Sequence, residues 1–192
     1  MSSQQRLIQA GLELFHRHGI QTVGLDCVLR QAGVTKTTFY KYFESKDAFV
    51  CAVLDEFAAQ LLRKIDLSLA HPNDEEIKTR LLAMFEAWDH LQCDKTYRGC
   101  LLIAAGVANG DPLDPARARA TYYRRQVIKA IESFALNAGF QSPARFAARY
   151  SAILDSSLLA RQFYGDDREA AETRLMAEEL IASAIDERSI YR

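Results

Sequence analysis

Between Thr35 and Lys46 the chain sets three threonines, three lysines and two tyrosines within twelve residues. Hydroxyls and phenols donate to phosphate oxygens, ammonium groups reach phosphates or guanine edges, and threonine methyls can touch thymine. Wound as a helix at about 100° per residue, residues 36–43 sort by face. Phe39 and Phe43 share one apolar stripe, with Lys36 beside it and Tyr42 on its shoulder. Tyr40, Thr37, Lys41 and Thr38 take the opposite arc, and no carboxylate stands on it. Such a face suits the major groove of DNA. A run of aromatics alone would describe a buried helix with solvated lysines, so the surrounding elements decide between the two readings.

Those elements favour DNA. Gly33 falls where a short helix over about 25–32 must end and the chain must turn sharply, a position that often demands a positive φ. Thr35 is then a natural N-cap for a third helix over about 36–42. Two short helices joined by a glycine-containing turn match a helix-turn-helix. A first helix over about 3–18 carries Leu7, Ala10, Gly11, Leu14 and Phe15 on one stripe and stops at Gly19. Ser45 reads as the N-cap of a long fourth helix reaching about residue 70, with Asp47 in its first turn. Further helices are expected over about 74–93, 99–109, 113–138, 142–164 and 168–187. The fold class is therefore all-α with about nine helices. A DNA-binding domain over 1–47 would precede a helical domain over 48–192.

Composition agrees without deciding. The chain has 192 residues, 49% apolar and 26% charged, which is ordinary for a globular protein. Its net charge is −1, yet residues 1–47 hold six Lys/Arg against four Asp/Glu. A mildly basic head on an acidic body is compatible with nucleic-acid binding. The N-terminal residues do not read as a signal peptide and no apolar run is long enough for a membrane span. A cytoplasmic protein with reduced thiols at Cys27, Cys51, Cys93 and Cys100 is the expectation.

The segment Ala32–Phe43, followed by Ser45, Lys46 and Asp47, resembles the TetR family of bacterial regulators. The resemblance is specific over about residues 6–54 and extends beyond them only in length and helical pattern. It implies that Thr37, Thr38, Tyr40 and Lys41 sit at or near DNA, with Tyr42 and Lys46 on phosphates. It also implies that Lys36 reaches base edges or backbone, beside the capping Thr35. Two departures stand out: Gly24 replaces the Ser or Thr that often opens the second helix, and Thr37 replaces a common Gly or Ala.

The resemblance further implies a homodimer on a palindromic operator and a repressor released by a small effector. Phe57, Leu61, Phe85, Trp88, Leu102 and Tyr122 are the candidates for a pocket, whose apolar lining would suit a hydrophobic or aromatic ligand. Phe146, Tyr150, Ile153, Leu154 and Leu158 on the eighth helix, with Leu175, Ile181 and Ile185 on the ninth, are the candidates for the dimer interface. Packing within the chain is the competing account of both sets. Cys93 and Cys100, near His90 and Asp94, offer a thiol or soft-metal sensor as an alternative. A helical interaction protein without DNA is a further one. No metal site or cofactor is expected, and no nucleophile elbow, phosphate loop or zinc motif argues for an enzyme.

Overall fold

The computed structural model describes residues 1–69, 76–92, 99–108, 111, 113–164 and 168–190. Among them the chain forms nine α-helices and no strand. These are α1 (Ser3–His18), α2 (Leu25–Ala32), α3 (Lys36–Tyr40), α4 (Lys46–Leu69), α5 (Ile77–Gln92), α6 (Leu101–Val107), α7 (Pro115–Asn137), α8 (Pro143–Tyr164) and α9 (Arg168–Ile190). The all-α expectation holds. The helices group into two compact units, one of residues 1–61 with 95–124 and one of residues 62–94 with 125–192.

In the first unit, local chemistry sets the helix ends. Ser2 Oγ accepts from the Gln5 N–H at 3.2 Å, and Gln5 Oε1 accepts from the Ser2 N–H at 2.8 Å. This reciprocal pair starts α1 by satisfying two otherwise orphaned donors. Gly19, at φ 82°, ends it, donating its N–H to the Phe15 carbonyl. The expected stripe is buried: Leu7, Ala10, Gly11, Leu14 and Phe15 all face inward. Gly11 lies so near α4 that a Cβ there would stand 2.6 Å from Val53 Cγ2 and 2.7 Å from Phe49 Cζ. Phe49 in turn receives three rings edge-on, from Phe15 at 6.0 Å, Phe39 at 5.5 Å and Phe43 at 5.1 Å. Each such pair contributes about 0.5–1.5 kcal/mol beyond the area it buries.

In the second unit, α9 packs along both α8 and α5. Tyr150, fully buried on α8, stacks on Phe146 and meets Phe85 edge-on. Its hydroxyl donates to the Leu81 carbonyl, and burial pushes its phenol well above the ordinary tyrosine range. At the end of α7, Gly139 adopts φ 78° and the Phe140 N–H returns to the Ala135 carbonyl. Arg188 of α9 donates to the Ala138 carbonyl there at 2.8 Å, placing a cation on the negative end of that helix.

Candidate nucleic-acid interface

The turn between α2 and α3 is built as the residue types dictate. Gly33 takes the left-handed conformation (φ 61°, ψ 42°), and the Gly33 and Val34 N–H groups return to the Arg30 and Leu29 carbonyls. Two side-chain clasps then fix α2 against α1. Arg6 Nη1 donates to the Gly33 carbonyl at 3.5 Å, and Gln31 Nε2 donates to Glu13 Oε2 at 2.8 Å. Gly24 opens α2 without any side-chain cap.

Thr35 caps α3 as expected: its Oγ accepts from the Thr38 N–H at 3.2 Å. The Thr35 and Thr38 hydroxyl oxygens also lie 2.9 Å apart, a hydrogen bond between the two side chains. Helix α3 ends at Tyr40, two residues before the expected end. The reason is a tightened turn in which the Tyr42 and Phe43 N–H groups both donate to the Phe39 carbonyl. Ser45 Oγ accepts from the Ala48 N–H at 3.0 Å and caps α4.

The helical projection of α3 holds. Phe39 and Phe43 are buried, while Thr35, Lys36, Thr37 and Lys41 are exposed. Tyr40 and Tyr42 are 51% and 44% exposed, so their hydroxyls are within reach of a partner. The Tyr40 ring stands edge-on to Phe39 at 5.3 Å, which anchors it at its base. Thr38 and Lys46 are half-buried. Among the described residues, the side chains of Lys36, Thr37, Tyr40, Lys41, Tyr42 and Lys46 form no hydrogen bond or ion pair. The segment from Thr35 to Lys46 thus carries all eight expected residues, and its three ammonium groups have no ion-pair partner among the described residues.

The residues expected in a pocket are distributed over both units. Phe57, Leu61 and Leu102 are buried in the first unit, and Phe85 is buried in the second. Tyr122 is 55% exposed on α7. The side chain of Trp88 lies outside the described residues. Its neighbour in the sequence of Tyr122, Tyr123, joins a cluster that sequence reasoning missed. Arg119 Nη1 reaches Asp55 Oδ1 and Oδ2 at 3.0 and 2.9 Å, holding its guanidinium more basic than usual. Burial and a hydrogen bond to Asp55 push the Tyr123 phenol up. Asp55 and Tyr123 also line a surface groove of 720 Å³ with Ile8, Gln9, Ala52 and Glu56. None of the five described pocket candidates lines it.

Of the dimer candidates, Phe146, Tyr150, Leu154, Leu158 and Ile181 are buried within their own chain. Ile153 and Ile185 are half-buried, and Leu175 is 52% exposed. Cys100 is buried ahead of α6, whereas Cys93 lies outside the described residues. Burial raises the Cys51 thiol, which favours its protonated form. Among the described residues no cluster of His, Cys, Asp and Glu is arranged to hold a metal ion, and no helix is long and apolar enough to cross a membrane.

Residues 7–53, the stretch that builds this surface, match the sequence profile of the bacterial regulatory proteins of the tetR family. This segment belongs to the TetR family. Among curated relatives, the HTH-type transcriptional repressor NemR of Escherichia coli is 29% identical over 138 residues, covering 71% of this chain and 68% of NemR. The transcriptional regulator AcuR of Cereibacter sphaeroides is 30% identical over 116 residues, covering 60% of this chain and 53% of AcuR. The match thus spans about half the length of that relative. Fold similarity extends further than sequence similarity. A TetR-family regulator from Streptomyces coelicolor, SCO4454, superposes with a TM-score of 0.84 over 95% of this chain and 96% of its own, at 18% identity. The reduced form of E. coli NemR superposes at 0.81 over 92% and 95%, at 22% identity. The outward face of α3 lies within the segment matched to the TetR family.

Proposed function

We propose that this protein is a homodimeric, cytoplasmic transcriptional repressor that binds a palindromic DNA operator through α3 and leaves it when a small hydrophobic or aromatic effector binds. The observation that carries the reading is the outward face of α3, where no carboxylate stands and where Lys36, Thr37, Tyr40 and Lys41 have no hydrogen-bond or ion-pair partner among the described residues. Lys41, Lys36 and Lys46 would neutralise phosphates and release counterions. Thr37, with its unengaged hydroxyl and methyl, would read base edges. Residues 1–47 form the DNA-binding part in this reading, and residues 48–192 carry effector binding and dimerisation.

A second copy would use surface the chain has not spent internally. On the last two helices that surface includes Leu175, Met176 and Phe163, the last being 79% exposed. Two-fold symmetry would then present two copies of α3 to successive major grooves, about 34 Å apart or somewhat more.

The test is selection of binding sites from a random duplex library, with a Tyr40→Ala/Lys41→Ala variant in parallel. Enrichment of a palindrome by the wild type, and its loss in the folded variant, is the expected result. Equal behaviour of the two proteins would reject α3 as the reading element and promote the helical interaction protein.

A further inference from the structure

We infer that Thr35 and Thr38 act as one unit, in which Thr38 donates to Thr35 and Thr35 gives its own hydroxyl proton to a DNA phosphate; this rests on the DNA-binding reading above. The two oxygens are 2.9 Å apart, so one hydroxyl donates and the other accepts. Either way, the internal bond consumes one of two protons and leaves one pointing away.

The surroundings assign which one. Thr35 Oγ already accepts the Thr38 N–H at 3.2 Å. If it also accepts the Thr38 hydroxyl, both of its lone pairs are filled and its proton must turn outward. Thr35 is the exposed member of the pair and Thr38 the half-buried one. An oxygen that accepts two bonds is polarised into a stronger donor. The pair is therefore a donor of fixed polarity.

Fixed polarity selects the partner. Base edges in the major groove alternate between donors and acceptors, whereas phosphate oxygens only accept. A group that always has one proton to give matches the phosphate. Thr37, two residues along and without a hydrogen bond among the described residues, keeps a rotor that can give or take. Adjacent threonines thus divide the work. Thr37 responds to sequence, the 35/38 pair does not, and Thr38 is a positioning residue that acts through Thr35.

The experiment uses the duplex that the wild-type protein enriches and a scrambled duplex of equal length, each titrated across a salt series. Thr38→Val should weaken both by up to roughly tenfold, because a Thr35 hydroxyl no longer held outward loses part or all of one hydrogen bond to a charged group. Because a neutral donor displaces no cation, its salt slope should match wild type, unlike Lys46→Ala, which should lose about 0.9 of slope. Thr38→Ser should restore wild-type affinity. Thr35→Ala should also lose roughly tenfold, and Thr35→Ala/Thr38→Val no more than Thr35→Ala. Penalties that multiply toward roughly a hundredfold, or a Thr38→Val loss confined to the enriched duplex, would overturn the unit while leaving α3 on DNA. Failure of the wild type to enrich any duplex would overturn both. Circular dichroism accompanies each variant; if Thr35→Ala frays α3, the valine and serine variants at Thr38 still decide.

Discussion

The helix-turn-helix and the α8–α9 pair distribute their apolar residues in opposite ways. On α2 the apolar and polar residues are sharply segregated, while on α8 and α9 they are spread nearly evenly around the axis. A segregated helix announces one side for burial and one for work; where apolar and polar residues are mixed, the sequence announces neither. In the N-terminal helices this separation makes function readable, because Phe39 and Phe43 account for the core and leave the threonines and lysines over. Along α8, Phe146, Tyr150, Leu154 and Leu158 are consumed by the chain's own core. Their periodicity reports burial and says nothing about whose atoms do the burying.

Three measurements press on that contrast. The largest effect is expected from Phe39→Ala, which removes a fully buried ring touching Phe43, Phe49 and Tyr40. A loss of about 3–5 kcal/mol in urea unfolding is expected, with DNA binding lost alongside. Survival of binding at full strength would mean the outward face does not depend on its aromatic floor. Tyr150→Phe should cost about 1 kcal/mol, since the ring still packs and only the bond to the Leu81 carbonyl disappears. Site selection should be unaltered by it; a changed motif would show that the second unit's core reaches into base reading. The smallest effect concerns His16, packed edge-on to Phe57 at 5.3 Å. Burial lowers its pKa from the ordinary 6.5, so the unfolded chain takes up a proton first as pH falls. Stability should therefore decline as pH drops below about 6.5. His16→Gln should flatten the melting-temperature change between about pH 7.5 and 5.5; an unchanged profile would remove His16 from the account.

What could be read from the sequence was local. Gly33, Thr35 and Ser45 each announced a helix boundary through chemistry confined to four or five residues, and the structure realises all three. The shortening of α3 was not visible, because it depends on which carbonyl the Tyr42 N–H selects. Contacts between distant segments were equally hidden. Arg119 finds Asp55 across 64 residues, and Arg188 finds the Ala138 carbonyl across 50. Neither pair leaves a spacing pattern, since an arginine on a helix surface looks alike whether or not a carboxylate arrives opposite. The pocket candidates met the same limit: aromatic residues at helical intervals state an appetite for burial, and Tyr122 and Tyr123 differ only in what the fold brings beside them.

The bare Cα of Gly11 has a mechanical meaning. With Val53 and Phe49 occupying the place of a side chain, α1 and the start of α4 meet almost backbone to side chain, without a compressible layer between them. A joint of that kind has no backlash. A tilt given to the first turns of α4 would press directly on α1, which the Arg6 and Gln31 clasps tie to the turn that carries α3.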